Sequence, residues 1–257
     1  MKPTVDHVAE KTMLRAYSGE QKGATAFFRN RALLATLIDL LETEPHRLNV
    51  LFHASSIGPV VYSFAVYCRI RGLADLKIRA TDINPDFLQY SRRARYPMEV
   101  LGTMTSQERA YFREADEAEV TPLDEIKEMI RFLPPVSFVD AAPRDTFELV
   151  FVTNAMTYIT QAEQASAIDN IAGYNTRYLV VSAFHPDSIE QDLTRNGYAP
   201  VLSNISSIHN SWDERIREGP APERGTPEYT WVLPPFSEIE GWRYKYCSIF
   251  QKTYPSE

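Results

Sequence analysis

The stretch Asn49-Val-Leu-Phe-His-Ala-Ser-Ser-Ile-Gly-Pro-Val-Val-Tyr-Ser63, followed by Arg79-Ala-Thr-Asp-Ile-Asn84, leaves the chain few architectures. The first piece reads as a buried strand that breaks at a run of small residues and restarts as a helix. The second is another apolar strand, tipped by Asp82, 24 residues after Gly58. A strand, a tight turn, a helix and an acid at the tip of the next strand are the mark of a nucleotide-binding βαβ unit. The turn brings backbone N–H groups to the ligand, and the acid accepts hydrogen bonds from ribose hydroxyls. With one glycine, this turn is not the Gly-x-Gly-x-x-Gly dinucleotide fingerprint.

The rest of the chain repeats the alternation. Strands are expected at 49–54, 76–81, 147–152 and 178–183, with a β-rich run over 244–251. Helices are expected from Pro59 to about Arg71, from Pro85, briefly at 106–112, over 122–132 up to Pro134-Pro135, and over 159–171. Two further helices, over 5–17 and 25–41, would make a helical N-terminal cap of residues 1–45 on a binding domain of 46–257. The stretch 203–235, rich in Pro, Gly and charge, reads as a long, lid-like connection. The expected fold class is α/β, a mostly parallel sheet with helices on both faces.

A net charge of −7 argues against nucleic acid and against an anionic membrane surface as partners. No run approaches the roughly 18 apolar residues of a membrane span, and the N-terminus lacks the apolar core of a secretory signal. Two cysteines are too few for a disulfide framework or a zinc site, so no metal is expected. The expected compartment is the cytoplasm.

Five segments, in order, resemble the CheR-type chemotaxis methyltransferases, which use S-adenosylmethionine (SAM). Thr25-Ala-Phe-Phe-Arg29 is similar to that family's Thr-x-Phe-Phe-Arg. Ala54-Ser-Ser-Ile-Gly-Pro-Val-Val-Tyr-Ser63 is similar to its Ala-Ala-Ser-Thr-Gly-Glu-Glu-Pro-Tyr-Ser, and Thr81-Asp-Ile-Asn84 to its Ser/Thr-Asp-Ile-Asn/Asp. Ile130-Arg-Phe-Leu-Pro134 resembles the run before its third binding loop. Phe147-Glu-Leu-Val-Phe-Val-Thr-Asn-Ala-Met-Thr-Tyr158 resembles Phe-Asp-Leu-Ile-Phe-Cys-Arg-Asn-Val-Met-Ile-Tyr.

The resemblance implies a Rossmann-like class I methyltransferase sheet with its last strand antiparallel and SAM as co-substrate. It places Thr25 and Arg29 over the methionine end of SAM and Ala54, Ser56, Gly58 and Tyr62 at the binding turn. Asp82, with Ile83 beside it, falls at the ribose. Val136 and Ser137 stand where the family keeps an adenine-side pair. Asn154 and Ala155 reach the methionine and ribose side, and Tyr158 lies near the transferring methyl. Phe27 and Phe28 are either core or an aromatic face near the sulfonium.

Two departures from the family pattern bear on function. Pro59-Val60-Val61 replaces Glu-Glu-Pro, so the carboxylate that meets the methionine ammonium is missing. The family's helical N-terminal domain is cut to about twenty residues, so chemoreceptor binding is not implied. A small-molecule acceptor is therefore expected, with Tyr158, His185 and His209 as candidate bases and Arg29 as an orienting cation. Trp212, Trp231 and Tyr229 are candidate pocket or lid residues. Two other readings stay open. SAM is used at its other sulfonium carbon, as an aminocarboxypropyl donor or by closing on itself, or the chain is a non-catalytic SAM-fold module.

Overall fold

The computed structural model describes residues 3–8, 13–19, 21–43, 48–73, 75–140, 145–182, 186–211 and 234–253. The chain divides into two compact units, residues 1–29 with 37–137, and residues 30–36 with 138–257.

The first unit opens with an antiparallel sheet, β1 (Thr4–Val8), β2 (Met13–Ser18) and β3 (Gln21–Thr25), in the order β1-β2-β3. This corrects the helix expected over 5–17. Leu14 and Ala16 are fully buried while Arg15 between them is exposed, a period of two. Gly19, at φ 59°, supplies the left-handed turn into β3. The next helix, α1 (Arg31–Glu42), starts later than the expected residue 25 because the chain first completes β3 and a turn.

Then come β4 (Leu48–His53), α2 (Pro59–Ile70), β5 (Leu76–Ala80) and α3 (Pro85–Arg93). A second small antiparallel sheet of order β6-β8-β7 follows, from β6 (Tyr96–Pro97), β7 (Phe112–Glu114) and β8 (Glu119–Pro122). Between β6 and β7 lies α4 (Ser106–Arg109), the expected short helix, opened by a Thr105–Glu108 capping box. The single helix expected over 122–132 is instead the end of β8, a one-turn α5 (Asp124–Lys127) and β9 (Ile130–Phe132). Pairing with β5 decides this: Ile78 lies opposite Ile130 and Ala80 opposite Phe132, both parallel. Strand β5 also pairs in parallel with β4, Val50 opposite Ile78. The core here is Val50, Phe52, Ile57, Val61, Phe64, Ile78, Leu88 and Val120, all buried.

The second unit carries β10 (Leu149–Thr153), α6 (Gln161–Gly173), β11 (Tyr178–Ser182), α7 (Glu190–Arg195), β12 (Tyr198–Pro200), α8 (Ile205–Asn210), α9 (Trp242–Lys245) and β13 (Ile249–Lys252). Strands β10 and β11 are parallel. The last strand, β13, runs antiparallel to both β11 and β12. It begins later than the expected residue 244 because Gly241, at φ 69°, opens α9 first. Beside the two small antiparallel sheets, β4, β5 and β9 of the first unit pair in parallel, as do β10 and β11 of the second, with the final strand antiparallel; strands alternating with helices in this way make a Rossmann-like class I α/β fold. No helix among the described residues is long and apolar enough to cross a membrane. Residues 212–233 of the expected lid lie outside the described residues.

His53 ends β4 with 2% of its surface exposed, and burial lowers its pKa from 6.5 to about 4. The unfolded chain therefore binds a proton that the folded chain refuses. The contribution is complete above pH 6.5 and lost as pH falls toward 4, by up to about 3 kcal/mol. Urea midpoints at several pH values across this window should show that slope in the native chain. They should show a flatter one in His53→Leu.

Candidate functional site

In the first unit, the ends of β4, β5 and β9 carry the residues that the sequence singled out. After His53 the backbone turns through three left-handed residues, Ala54 (φ 50°), Ser56 (φ 51°) and Gly58 (φ 100°). An alanine or serine in that region costs about 1 kcal/mol or more, so the turn holds only because it is tied from several sides. Ser55 N donates to Thr81 O at 3.0 Å and Gly58 N to Ser55 O at 3.1 Å. Ser56 N donates to Asp82 Oδ2 at 2.8 Å.

Asp82 is the hub of this arrangement. It is 6% exposed, and its other oxygen, Oδ1, accepts from Asn84 N at 2.9 Å. Burial raises its pKa, and the backbone N–H groups of Asn84, Ser56 and Ile83 oppose that rise. The helix cap belongs to Asn84, whose Oδ1 accepts from Asp86 N at 2.9 Å and Phe87 N at 3.4 Å. Asp82 is thus not spent as a cap, and a carboxylate has about four acceptor positions.

Beside Asp82, Ile83 is 58% exposed and Val136 36% exposed, two large apolar side chains open to solvent at the strand ends. Val136 N donates to Asp82 O at 3.2 Å, and Thr81 Oγ1 to Pro134 O at 2.8 Å, so the segment after β9 runs alongside the tip of β5. Ser137 follows, half-buried. The hydroxyls of Ser55 and Ser56 are buried and have no hydrogen-bond partner among the described residues. Such groups call for a partner from outside the chain.

Gly58 has a role other than ligand approach. A Cβ there would lie 2.9 Å from the Tyr96 hydroxyl and 3.1 Å from Ser91 Oγ. The missing side chain makes room for protein. Tyr62, expected at the binding turn, is 1% exposed and donates its hydroxyl to Ser91 O at 2.8 Å; it braces the turn from inside. Gly23 of β3 is the other close approach: a Cβ there would come within 2.6 Å of Ser56 Oγ. The first sheet is also tied to the start of α3, by Ser18 Oγ to Asp86 Oδ2 at 2.6 Å and Asn84 Nδ2 to Gln21 Oε1 at 2.6 Å.

The Thr25–Arg29 motif follows β3. Thr25 is 8% exposed and Arg29 half-buried. Phe27 and Phe28 are core: Phe27 packs edge-on to Tyr96 and Phe112 at 4.9 and 5.3 Å, and Phe28 lies 5.9 Å from Tyr67. Phe28 has φ 49°, and its N–H donates to Ser63 Oγ at 2.8 Å.

In the second unit, Asn154 follows β10 at φ 57°, its Oδ1 buried without a hydrogen-bond partner among the described residues. Ala155 is 8% exposed. Tyr158 ends a short 3₁₀ turn and is 82% exposed. Gln164 Nε2 ties that turn down through Met156 O at 3.0 Å. His209 is 1% exposed and packs edge-on to Phe236 at 4.9 Å and Tyr246 at 5.0 Å. A ring held in an aromatic core is a packing residue, which corrects its candidacy as a base. His185, Trp212, Tyr229 and Trp231 lie outside the described residues. No group of three metal-ligating side chains occurs among the described residues.

The arrangement defines the class: an α/β protein with an acid-tipped second strand and a tight turn after the first, built to take a nucleoside-bearing ligand. The family described as CheR methyltransferase, SAM binding domain, matches residues 23–182, more than half of the chain, and the chain belongs to that family. A chemotaxis protein methyltransferase of Vibrio parahaemolyticus is 26% identical over 160 residues, 58% of each protein; the chain thus spans little more than half of that relative. A TehB-like SAM-dependent methyltransferase from Corynebacterium glutamicum is similar in structure, with 15% identity, 86% of this chain and 87% of that one covered, and a TM-score of 0.45. Magnesium protoporphyrin IX methyltransferase from Synechocystis gives 14%, 66%, 68% and 0.43. SAM fits the residues present: of its about four acceptor positions Asp82 keeps one beyond the Asn84, Ser56 and Ile83 amides, Ile83 and Val136 offer apolar surface, and two buried serine hydroxyls lack partners among the described residues.

Sequence reasoning missed Ser91 and Tyr96. Ser91 and Tyr96 stand 35 and 39 residues from the carbonyls they hold, and no local pattern marks them.

Gly58→Ala should remove about 2 kcal/mol or more of stability, since the new Cβ meets both the left-handed backbone and the Tyr96 hydroxyl. Thermal unfolding of the variant checks this. An unchanged Tm would mean the turn relaxes freely.

Proposed function

We propose that the chain is a SAM-dependent methyltransferase acting on a small-molecule acceptor. The observation that carries the reading is Asp82, buried at the tip of β5, holding the Ser56 amide beside exposed Ile83 and Val136. In this reading the remaining acceptor position of Asp82 takes a ribose hydroxyl, Ile83 and Val136 line the adenine, and Ser137 meets its edge. Ala54, Ser56 and Gly58 form the turn beneath the donor. By resemblance, Thr25 and Arg29 are assigned to the methionine end, Asn154 and Ala155 to the methionine and ribose, and Tyr158 to the transferring methyl. SAM supplies the electrophile, a methyl group on a sulfonium. The protein's work is to align, to exclude water and, for a protonated acceptor, to take up one proton. Tyr158 and His185 remain the candidates for that proton.

Ile83→Ser tests the adenine assignment at low cost to the fold, because that side chain is largely exposed. Calorimetry should show SAM binding weakened about tenfold with Tm unchanged. Equal affinity would remove Ile83 from the site.

One observation favours a second reading. Helix α2 opens on Pro59-Val60-Val61 with no acidic residue in its first turn. A methionine ammonium lacking that carboxylate reaches its neutral amine form more easily. The carbon chain of the methionine, rather than the methyl, would then leave sulfur, to an acceptor or to its own amine, releasing methylthioadenosine. Mass spectrometry of the spent donor decides: adenosylhomocysteine supports methyl transfer, and methylthioadenosine the second reading. Failure of the native chain to bind SAM in calorimetry would leave a non-catalytic module.

A further inference from the structure

We propose that Gln164 is a positioning residue that sets Tyr158 for the sulfonium end of the donor; this rests on the SAM reading above, in which Tyr158 is assigned to the transferring methyl. Helix α6 buries Gln164, Ala167, Ile168 and Ile171. Their spacing, i, i+3, i+4 and i+7, makes one stripe along one face. Three members of the stripe are apolar. The first is an amide, 8% exposed. Burying an amide is unfavourable unless its polar atoms are hydrogen-bonded, so packing alone does not account for a glutamine there.

Its partners do. Gln164 Nε2 carries two hydrogens and meets two carbonyls, Met156 O at 3.0 Å and, more loosely, Ile159 O at 3.4 Å. Those carbonyls bracket Tyr158 in the chain. Tyr158 N–H donates to Ala155 O at 3.1 Å, and the Met156 side chain is fully buried. The start of α6, from which Gln164 projects, is itself fixed. Thr160 and Glu163 form a capping box, and Gln164 N donates to Thr160 O at 2.9 Å. The backbone is thus tied on both sides of Tyr158, while the tyrosine side chain is 82% exposed.

The same short segment carries a second group that calls for a partner from outside the chain. Asn154 Oδ1 is buried and has no hydrogen-bond partner among the described residues. Asn154 and Tyr158 both follow the carboxyl end of β10, the end of a parallel strand at which α/β folds take ligands. An acceptor oxygen without a donor and an accessible ring, on one clamped turn, suit a molecule that brings an N–H or O–H group to the first and a cation to the second. SAM brings both. A ring face attracts a cation within about 6 Å of its centre, so the placement of Tyr158 decides the strength of that contact. Without the Gln164 amide, the carbonyls of Met156 and Ile159 lose their donor, and the turn must shift to find another.

A double-mutant cycle on the full-length chain, read by calorimetry with SAM, tests this. Gln164→Met keeps the length of the side chain and removes both donors. Tyr158→Ala removes the ring at an exposed position. Tyr158→Ala should weaken SAM binding about fivefold and Gln164→Met about threefold. In the Tyr158→Ala background, Gln164→Met should change SAM affinity by less than about 1.5-fold, because it acts through the ring. Equal loss in both backgrounds marks a role in stability alone and overturns the proposal, as does native SAM affinity in Gln164→Met. Gln164→Leu repeats the cycle, with the same outcomes, should the methionine variant fail to fold. Native SAM affinity in Tyr158→Ala would overturn this inference and leave the SAM reading standing. A native chain that does not bind SAM would overturn both.

Discussion

The Asp82 carboxylate, placed at the tip of a buried strand and bonded to the Ser56 amide at 2.8 Å, is the contact on which the rest of the first unit depends. A turn with three left-handed residues, two of them not glycine, does not persist by its own preferences. It persists because an acceptor stands where the Ser56 N–H points and because Ser55 N finds the carbonyl of Thr81. Both partners come from β5 and its tip, so the pairing of β4 with β5 delivers them. Removing the acid would cost the turn its tie before it cost any ligand a contact. The same residue is therefore scaffold and, in the proposed reading, site, and effects of changing it on binding cannot be read without its effect on the fold.

This double use explains what the sequence could and could not convey. The strand, turn, helix and acid-tipped strand were legible because each is encoded by near neighbours: the apolar run Val50–Phe52, the small residues 54–56, Pro59 at a helix start, Asn84 and Pro85 at the next. The N-terminal sheet was not. Val5, Val8, Met13, Leu14 and Tyr17 fit a loose helical spacing as well as a strand. Pairing between β1, β2 and β3 settled the choice, and pairing is invisible in a local window. Strand β9 was lost for the same reason: three residues beside a helical turn carry no period of their own, and only the register with β5 makes them a strand.

The residues proposed for binding divide in the same way. Ile83 and Val136 could be found from their neighbours in the motif and by counting from Phe132. Tyr62 could be found too, but its direction could not: position in a motif says nothing about which side of a helix faces the ligand, and this tyrosine faces Ser91. The glycine shows the sharpest difference. A glycine at such a turn suggests a backbone approached closely by a ligand, yet here the close neighbours are a tyrosine and a serine of the chain itself.

That finding bears on the departure at Pro59-Val60-Val61. If the glycine makes room for the Tyr96 and Ser91 hydroxyls, the turn can keep its shape while the residues after it change chemistry. Proline suits the first position of α2, and Val61 is fully buried, so the substitution costs the helix little. What it alters most is charge. In the proposed reading, a site that keeps the turn while lacking the family's carboxylate no longer compensates a cationic end. The fold is thus compatible with the same donor held in the same place, with the protonation of its amine, and so the bond that breaks, free to differ.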